Sequence, residues 1–332
     1  MADDIRNETE LAARVGKTPA AVQLKVIDHI DDCARRWLET APLAALAFGD
    51  AELGVTATLA GGLPGFARSE TPTLLQLPLA TVDAPQQICE GAGFGSLFFS
   101  PGLGETLRIN GRVQWLRDGV IGIAVSECYL HCAKALMRSA FWEGGAERPD
   151  DTSPLALSPF LVMATMHRDG SVDVSPKGDP AGAMLQLHDD RIWFADRPGN
   201  RRMDGIKNLL SRPQMTGIAM YPGHHCCAVF SGEASVTNDA VMSARFAVQG
   251  RQPKLLIAVG NSECELLDSA ALERARLWPA AAAAEDLDPS TIFATHVRLN
   301  KTSGLGAKVM RATVSRGLMQ KGLEHDYKNN LY

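Results

Sequence analysis

The chain has 332 residues, of which 33 are basic and 38 acidic, so its formal net charge is −5. This mild acidity argues against a nucleic-acid-binding protein, because such proteins usually carry a basic surface. Apolar residues make up 45% of the chain and charged residues 21%, values that exclude wholesale disorder and a fibrous protein. At about 100–200 residues per domain, the length predicts two domains.

The first 41 residues predict a helical segment. The N-terminus lacks the apolar core and cleavage pattern of a secretory signal, and no apolar run reaches the roughly 18 residues of a membrane-spanning helix. We therefore expect a cytoplasmic protein that binds no membrane. Residues 20–40 predict one amphipathic helix, because apolar residues recur at helical spacing from Val22 to Trp37.

Two similar series of strands follow. From Pro42 onward, short apolar runs alternate with Gly and Pro, a pattern typical of strands, and a helix-like stretch ends at Trp142. The second series contains one helix candidate, Asn200–Leu210, and ends with another helix-like stretch at Trp278. We place the two domains at residues 42–150 and 151–295, and a basic amphipathic tail at 296–332.

The two series are an internal duplication. Ser126–Trp142 aligns without gaps to Ser262–Trp278, with eight of 17 positions identical, where composition alone gives about one. Upstream, residues 96–102 match 217–223, and Gly111 matches Gly232. The fold class is therefore predicted as mainly β with flanking helices (α+β), built from two copies of one unit.

The run His224–Cys227 has the residue types of a metal site but not the geometry. Neighbouring side chains on a strand point to opposite faces, so four consecutive residues cannot converge on one tetrahedral ion. We expect a strand with buried thiols and no metal.

The later copy carries a candidate anion site. Asn200 is a good helix cap, and Arg201 and Arg202 follow it, close to free backbone N–H groups. Cations there oppose the helix dipole, so an anion should offset them, and a phosphate suits this place. Lys177 adds a third positive group. The alternative is an arginine pair that is simply solvated on a turn.

The earlier copy has lost this set and kept another. The earlier copy has uncharged residues at the positions aligned with Lys177, Arg201, Arg202 and Asn208: alanine, alanine, threonine and glutamine, in that order. The earlier copy instead keeps four polar residues that the later copy lacks: Glu105, Arg108, His131 and Lys134. Surface ion pairs are one explanation. The other is that the copies face each other and jointly form one complete site.

These segments resemble the pyridoxamine 5′-phosphate oxidase-like superfamily of FMN-binding split β-barrels. The resemblance is clearest over residues 158–180 and 191–215, and covers roughly Pro42–Trp142 and Ser158–Trp278. In that family a strand is followed by a basic turn and helix that hold the flavin phosphate, and Asn200, Arg201 and Arg202 stand at that place. An earlier strand lies along the flavin, and Ser175 and Lys177 match it.

The resemblance implies two tandem split β-barrels that form an intramolecular pseudo-dimer, with one FMN site between them and a mirror site that is dead. The residues that would contact the cofactor are Ser175, Lys177, Asn200, Arg201, Arg202 and Asn208 of the later copy, and Glu105, Arg108 and Lys134 of the earlier copy. His131 is the candidate general acid or base, because the unperturbed pKa of histidine is near neutrality. Further homo-oligomerisation stays open.

Several functions follow from this resemblance. The first is an FMN-dependent oxidoreductase acting on a small-molecule substrate. The terminal Arg and Trp motif of true pyridoxamine phosphate oxidases has no counterpart, so vitamin B6 synthesis is not assigned. The alternatives are an F420-dependent reductase and a non-enzymatic flavin or haem carrier or sensor. Motifs of P-loop, Rossmann, zinc-protease and α/β-hydrolase proteins are absent from the sequence.

Overall fold

The earlier copy forms a seven-stranded antiparallel sheet. The computed structural model describes residues 4–16, 18–52, 54–150 and 154–332. The elements up to the end of this copy are α1 (Glu8–Val15), α2 (Ala20–Leu24), α3 (Asp32–Thr40), β1 (Leu43–Asp50), β2 (Gly54–Gly61), β3 (Arg68–Thr71), β4 (Leu74–Pro78), β5 (Gly93–Phe99), β6 (Thr106–Arg117), β7 (Val120–His131) and α4 (Lys134–Arg138). The strand order is β2-β1-β5-β6-β7-β4-β3.

The later copy repeats this sheet strand for strand. Its elements are β8 (Phe160–Met166), β9 (Val172–Gly178), β10 (Gln186–His188), β11 (Arg191–Asp196), α5 (Asp204–Ser211), β12 (Gln214–Met220), β13 (Cys226–Thr237), α6 (Ala240–Arg245), β14 (Leu255–Asp268) and α7 (Ala270–Ala275). The order β9-β8-β12-β13-β14-β11-β10 is the earlier order with each strand replaced by its repeat equivalent. Even the β-bulge at Asn110/Gly111 recurs at Ser231/Glu233. The predicted duplication and mainly β class are confirmed.

The copies pack face to face as a pseudo-dimer. Alternate residues of β1 point to different cores: Leu43 and Ala45 join an apolar cluster shared by both copies, whereas Leu46 belongs to the earlier copy's own core. Aromatic rings fill the shared cluster, with centroids 5.5 Å apart for Phe99 and Phe141 and 4.8 Å for Phe141 and Phe160. Burial of apolar surface between the copies therefore stabilises the pair as one unit.

Two glycines allow the closest approach between the copies. A Cβ on Gly61 would lie 2.0 Å from the carbonyl oxygen of Ala271, and one on Gly178 would lie 2.0 Å from that of Ala135. These pairs are repeat equivalents, so each copy's second strand meets the other copy's last helix. Only glycine leaves room for such backbone contact.

Three helix predictions were wrong in the same way. Residues 20–40 are not one helix: Ile27 pairs with Cys128 as an isolated bridge, and Asp31 starts α3 by accepting the backbone N–H of Ala34 at 2.8 Å. The helix-like stretch Cys128–Trp142 begins as the end of β7, and its counterpart before Trp278 begins as the end of β14; helices start only at Lys134 and Ala270. Pairing with a neighbouring strand outweighs helical spacing in each case.

The segment from Pro289 onward, called the tail below, forms three helices: α8 (Pro289–Leu299), α9 (Leu305–Thr313) and α10 (Arg316–Asn329). It begins seven residues before the expected boundary at residue 296. The last helix reaches the earlier copy, where Lys134 pairs with Asp326 at 2.8 Å. Within the described ranges, no helix combines the length and apolar character that crossing a membrane requires.

Candidate functional site

A basic cavity lies where the two copies meet. Its walls come from β6, β7 and α4 of the earlier copy and from β9, β11 and the turn before α5 of the later copy. Six basic and two acidic side chains line it: Arg108, Arg138, Lys177, Arg197, Arg201 and Arg202 against Asp196 and Asp204. This excess of positive charge occurs in a chain whose net charge is −5. An anionic ligand suits such a cavity.

The cavity opens onto two larger spaces. It encloses about 70 Å³, below the roughly 300–1,000 Å³ of typical ligand pockets. Along Asp196, Arg197 and Arg201 it continues into a cleft of about 520 Å³. At His131 and Asn200 it adjoins an apolar cavity of about 200 Å³. The basic end thus has room for a phosphate-sized group, and the neighbouring spaces for a larger body.

The turn before α5 differs from the prediction. We expected a helix from Asn200 with that residue as its cap, but α5 begins at Asp204. Arg201 and Met203 both adopt left-handed backbone conformations, with φ of 59° for each, which an α-helix excludes. Asn200 instead accepts the backbone N–H of Arg202 at 3.0 Å within the turn. The two arginines therefore precede the helix and do not lie in its first turn.

The two arginines of this turn have different surroundings. Arg202 lies over the ring of Tyr129, 4.5 Å from its centroid, and its Nε donates to Asp204 at 2.5 Å. A longer bond of 3.4 Å joins it to Glu127 of the earlier copy. Arg201 is exposed, and no carboxylate of the described residues lies within 4 Å of it. Arg202 is thus already positioned, whereas Arg201 is available to an anion.

Lys177 and Ser175 line the cavity from β9. Lys177 forms an ion pair with Asp196 of β11, and both side chains are mostly buried. Ser175 donates its hydroxyl to Asp173 at 2.6 Å. An anion entering here would share Lys177 with Asp196, so the lysine alone does not supply a free positive charge.

Arg108 joins the copies. Its side chain, 2% exposed, forms an ion pair with Asp173 of β9 and donates to the carbonyl oxygen of Val174. The hydroxyl of Tyr129 accepts a further bond at 2.9 Å. Arg108 therefore links strand β9 of the later copy to the sheet of the earlier copy. Arg108 also lines the cavity, and its Nε has no hydrogen-bond partner among the described residues.

Two buried polar atoms at the junction of the cavities have no hydrogen-bond partner among the described residues. They are Nδ1 of His131 and Nδ2 of Asn200. Burial, and then the positive charges of Arg108 and Lys25, hold the pKa of His131 well below its ordinary value of 6.5. The imidazole is therefore neutral at pH 7, so the unperturbed pKa on which its acid–base role was predicted does not apply. Unsatisfied buried groups of this kind are expected where a ligand completes the bonding.

The remaining predicted residues lie around the cavity or away from it. Glu105 is buried and accepts the hydroxyl of Tyr327 at 2.7 Å, on the wall of the apolar cavity. Lys134 lines the larger cleft and is held by Asp326. Asn208 does not reach the cavity: its amide donates to Thr165 at 3.1 Å on the inner side of α5.

At the mirror position Asp83 of the earlier copy contacts the start of α7. Asp83 accepts the hydroxyl of Ser269 at 2.5 Å and the backbone N–H of Ala271 at 2.7 Å. In the basic cavity the equivalent of Ser269 is Ala133, which has no side-chain cap to offer. The two copies therefore differ at this point.

Sequence reasoning missed an ion cluster at the back of the cavity. Arg197 donates to Asp179 at 2.7 Å, and Arg138 lies 3.8 Å from the same carboxylate. Arg138 also donates to the carbonyl oxygen of Gly178 at 2.7 Å, as its equivalent Arg274 does to Gly61 at 2.9 Å. The sequence did hold a signal for the contact with this carbonyl oxygen: Arg138 and Arg274 are identical in the aligned copies, and such a residue marks a contact that both copies retain.

Of the run His224–Cys227, only the two cysteines lie on a strand, because β13 begins at Cys226. Cys226 and Cys227 are both buried, one in the later copy's core and the other in the shared cluster, so they face opposite sides of β13 as expected. Within the part of the chain that the structure describes, no three His, Cys, Asp or Glu side chains are placed to hold a metal ion.

Known proteins match this chain only in their structures. No family model and no curated protein sequence matches it. HupZ of Group A Streptococcus is 17% identical with a TM-score of 0.28, over 34% of this chain and 88% of its own. An F420 reductase is 15% identical with a TM-score of 0.26, over 36% of this chain and 98% of its own.

A third solved structure comes from Clostridium acetobutylicum and is related to general stress protein 26 of the pyridoxinephosphate oxidase family. It is 10% identical with a TM-score of 0.24, over 33% of this chain and 86% of its own. Each of these matches covers about a third of this chain. They concern the fold, and no residue's role is taken over from them.

Proposed function

We propose that this protein is an FMN-dependent oxidoreductase with one composite flavin site between its two copies. The observation that carries this proposal is the basic cavity at the junction of the copies, lined by six basic and two acidic side chains. Its position coincides with the turn at Asn200–Arg202, which resembles the phosphate-binding turn of flavin-binding split barrels.

The residues present fit a phosphate-bearing cofactor. Arg201 is an exposed guanidinium without a nearby described carboxylate, and Arg202 is aligned beside it by Tyr129. Guanidinium groups bind phosphate oxygens through paired hydrogen bonds. The unpartnered Nδ2 of Asn200 adds a neutral donor at the same place. The phosphate would be held by the later copy and faced by the earlier one.

When bound, FMN supplies the redox chemistry, and the protein supplies orientation and electrostatics. The cations of the cavity would lower the energy of an anionic ligand and of negative charge developing near it. His131, neutral at pH 7, can offer or accept one hydrogen bond but adds no positive charge. No nucleophilic residue is needed.

Removing the two arginines of the turn tests the proposal. Wild-type protein should be yellow, with one FMN per chain released on denaturation and identified by mass spectrometry. Losing one charge-assisted bond of about 1.5–3 kcal/mol weakens binding roughly tenfold or more. The double variant Arg201→Ala/Arg202→Ala should therefore lose FMN on dialysis.

The matched control is Arg35→Ala/Arg36→Ala, which removes the same charge from an adjacent, exposed pair on α3. This control should keep its FMN. Colourless wild-type protein that takes up no FMN in titration would refute the proposal, and FMN retained by the Arg201/Arg202 variant would show that the phosphate lies elsewhere.

A haem carrier is the second candidate, and His131 is the observation that favours it. A neutral imidazole with an unpartnered nitrogen is the form that ligates iron. A Soret band in place of flavin absorption in the purified protein would support this candidate, and His131→Ala should abolish that band.

A further inference from the structure

An apolar cavity of about 200 Å³ adjoins the basic cavity and is closed by the tail. Leu130 of β7, Phe293 of α8, and Met319 and Leu323 of α10 form much of its wall. It meets the basic cavity at His131, Cys132 and Asn200, which line both spaces. A ligand in this cavity would therefore lie next to whatever the basic cavity holds.

The amine of Lys25 lines this cavity without a counter-ion. Lys25 is 3% exposed, and its Nζ donates to the carbonyl oxygen of Leu130 at 2.6 Å. The rings of Tyr129 and Phe293 lie at 5.6 and 5.5 Å. Among the residues that the structure describes, no carboxylate oxygen lies within 4 Å of Nζ. Since an ammonium group has three donors, two remain without a partner in the described chain.

Glu105 does not fill this role. Its Oε1 accepts the hydroxyl of Tyr327 at 2.7 Å, so the carboxyl group is directed to the tail. Burial raises the pKa of Glu105, although the Tyr327 hydrogen bond opposes this effect. Buried charges are normally paired, and an unpaired one destabilises the fold unless a ligand completes the pair.

We propose that this cavity binds a small apolar monocarboxylate, whose carboxylate completes the ion pair with Lys25 and whose apolar body contacts Phe293 and Leu323. The unpartnered donors of Lys25 match the acceptor oxygens of a carboxylate. The binding of a carboxylate here does not depend on the proposed function. The role of the cavity does rest on it: beside a bound flavin, this cavity is the substrate site.

Benzoate and benzyl alcohol are suitable probes, because they share an apolar ring and differ in charge. Isothermal titration of the full chain should show one benzoate site, with benzoate bound at least tenfold more tightly than benzyl alcohol. In Lys25→Met, which keeps the chain length of the side chain, this preference should vanish. In Leu323→Trp, which fills the cavity and keeps the lysine, both probes should bind at least tenfold more weakly. Lys301→Met, an exposed lysine paired with Asp28, is the matched control and should bind both as wild type does.

Three results would overturn the proposal. Wild-type protein could bind both probes equally or neither, or Lys25→Met could keep the preference for benzoate. A loss of benzoate binding in Arg201→Ala/Arg202→Ala but not in Lys25→Met would place the anion in the basic cavity. FMN content, measured on the same samples, separates the two ideas. If FMN-free protein binds benzoate, the carboxylate site is supported without the flavin. If the protein retains FMN but shows no preference for benzoate, only the carboxylate site is rejected.

Discussion

Replacing Lys25 by methionine should stabilise the protein. Burial, offset in part by Cys132 and reinforced by Arg202 and Arg108, lowers the pKa of Lys25 from 10.5 to about 8. At about 1.36 kcal/mol per pKa unit, holding this amine protonated in the folded state costs about 3 kcal/mol at pH 7. Methionine avoids that cost but loses the bond to Leu130, which contributes about 1–2 kcal/mol. The net gain in the free energy of unfolding should be about 1–2 kcal/mol.

The gain should depend on pH with a definite sign. Because the folded-state pKa is depressed, the unfolded chain binds more protons between about pH 8 and 10.5, and wild-type stability rises through that window. The advantage of the methionine variant is therefore full below about pH 8 and disappears towards pH 10.5. Stability that stays higher in the variant at pH 10.5 would contradict this explanation.

Urea unfolding at pH 7 and at pH 10.5 measures both quantities, with the intrinsic fluorescence of the tryptophans as the probe. Lys301→Met is the control, since its side chain is 73% exposed and should change stability by no more than about 0.5 kcal/mol at either pH. A wild-type protein more stable than Lys25→Met at pH 7 would refute the reasoning, because it would show that the buried amine is already satisfied.

Two further predictions concern the joint between the copies. Arg108→Met should destabilise the protein by about 3–5 kcal/mol at pH 7, because it leaves the buried carboxylate of Asp173 without its cation. The loss should shrink at pH 4, because burial raises the pKa of Asp173 and a protonated carboxyl needs no cation. Urea unfolding at the two pH values checks this, and an equal loss at both would contradict it. Gly178→Ala and Gly61→Ala should each destabilise the protein by at least about 1–3 kcal/mol, since each new Cβ would lie 2.0 Å from a backbone oxygen of the other copy. Gly317→Ala, whose Cβ would meet nothing within 4 Å and whose backbone is helical in α10, is the control and should not destabilise the protein; melting temperatures compare the three variants.

The strands could be predicted from the sequence, but their ends and neighbours could not. Alternating or continuous apolar runs located β1, β8 and most other strands because both faces of these strands are buried in cores. The ends of β7 and β14 were taken for helices, since helical and strand spacing look alike over short apolar runs. Their pairing with β6 and β13 is a tertiary contact that no local pattern reveals.

The residues of the candidate site were also predictable only in part. Lys177, Arg201 and Arg202 were found because the aligned copy lacks them, and the structure brings all three to one cavity. Lys25 and Tyr327 could not be found by that comparison, because they lie outside the duplicated segments and reach the site from the two ends of the chain. Asn208 was selected by the same comparison, but its side chain points into the fold and bonds Thr165.

Because the two copies belong to one chain, the segments that cover the site lie on one side of the pair only. In a symmetric homodimer, any terminal segment that covers one site has a partner covering the other. Here Lys25, which precedes the two copies, and Tyr327, which follows them, both reach the basic side. On the opposite side Asp83, a residue of the earlier copy, caps α7 by accepting the backbone N–H of Ala271. We infer that this internal cap, together with the loss of the basic residues there, leaves the mirror position without an anion site.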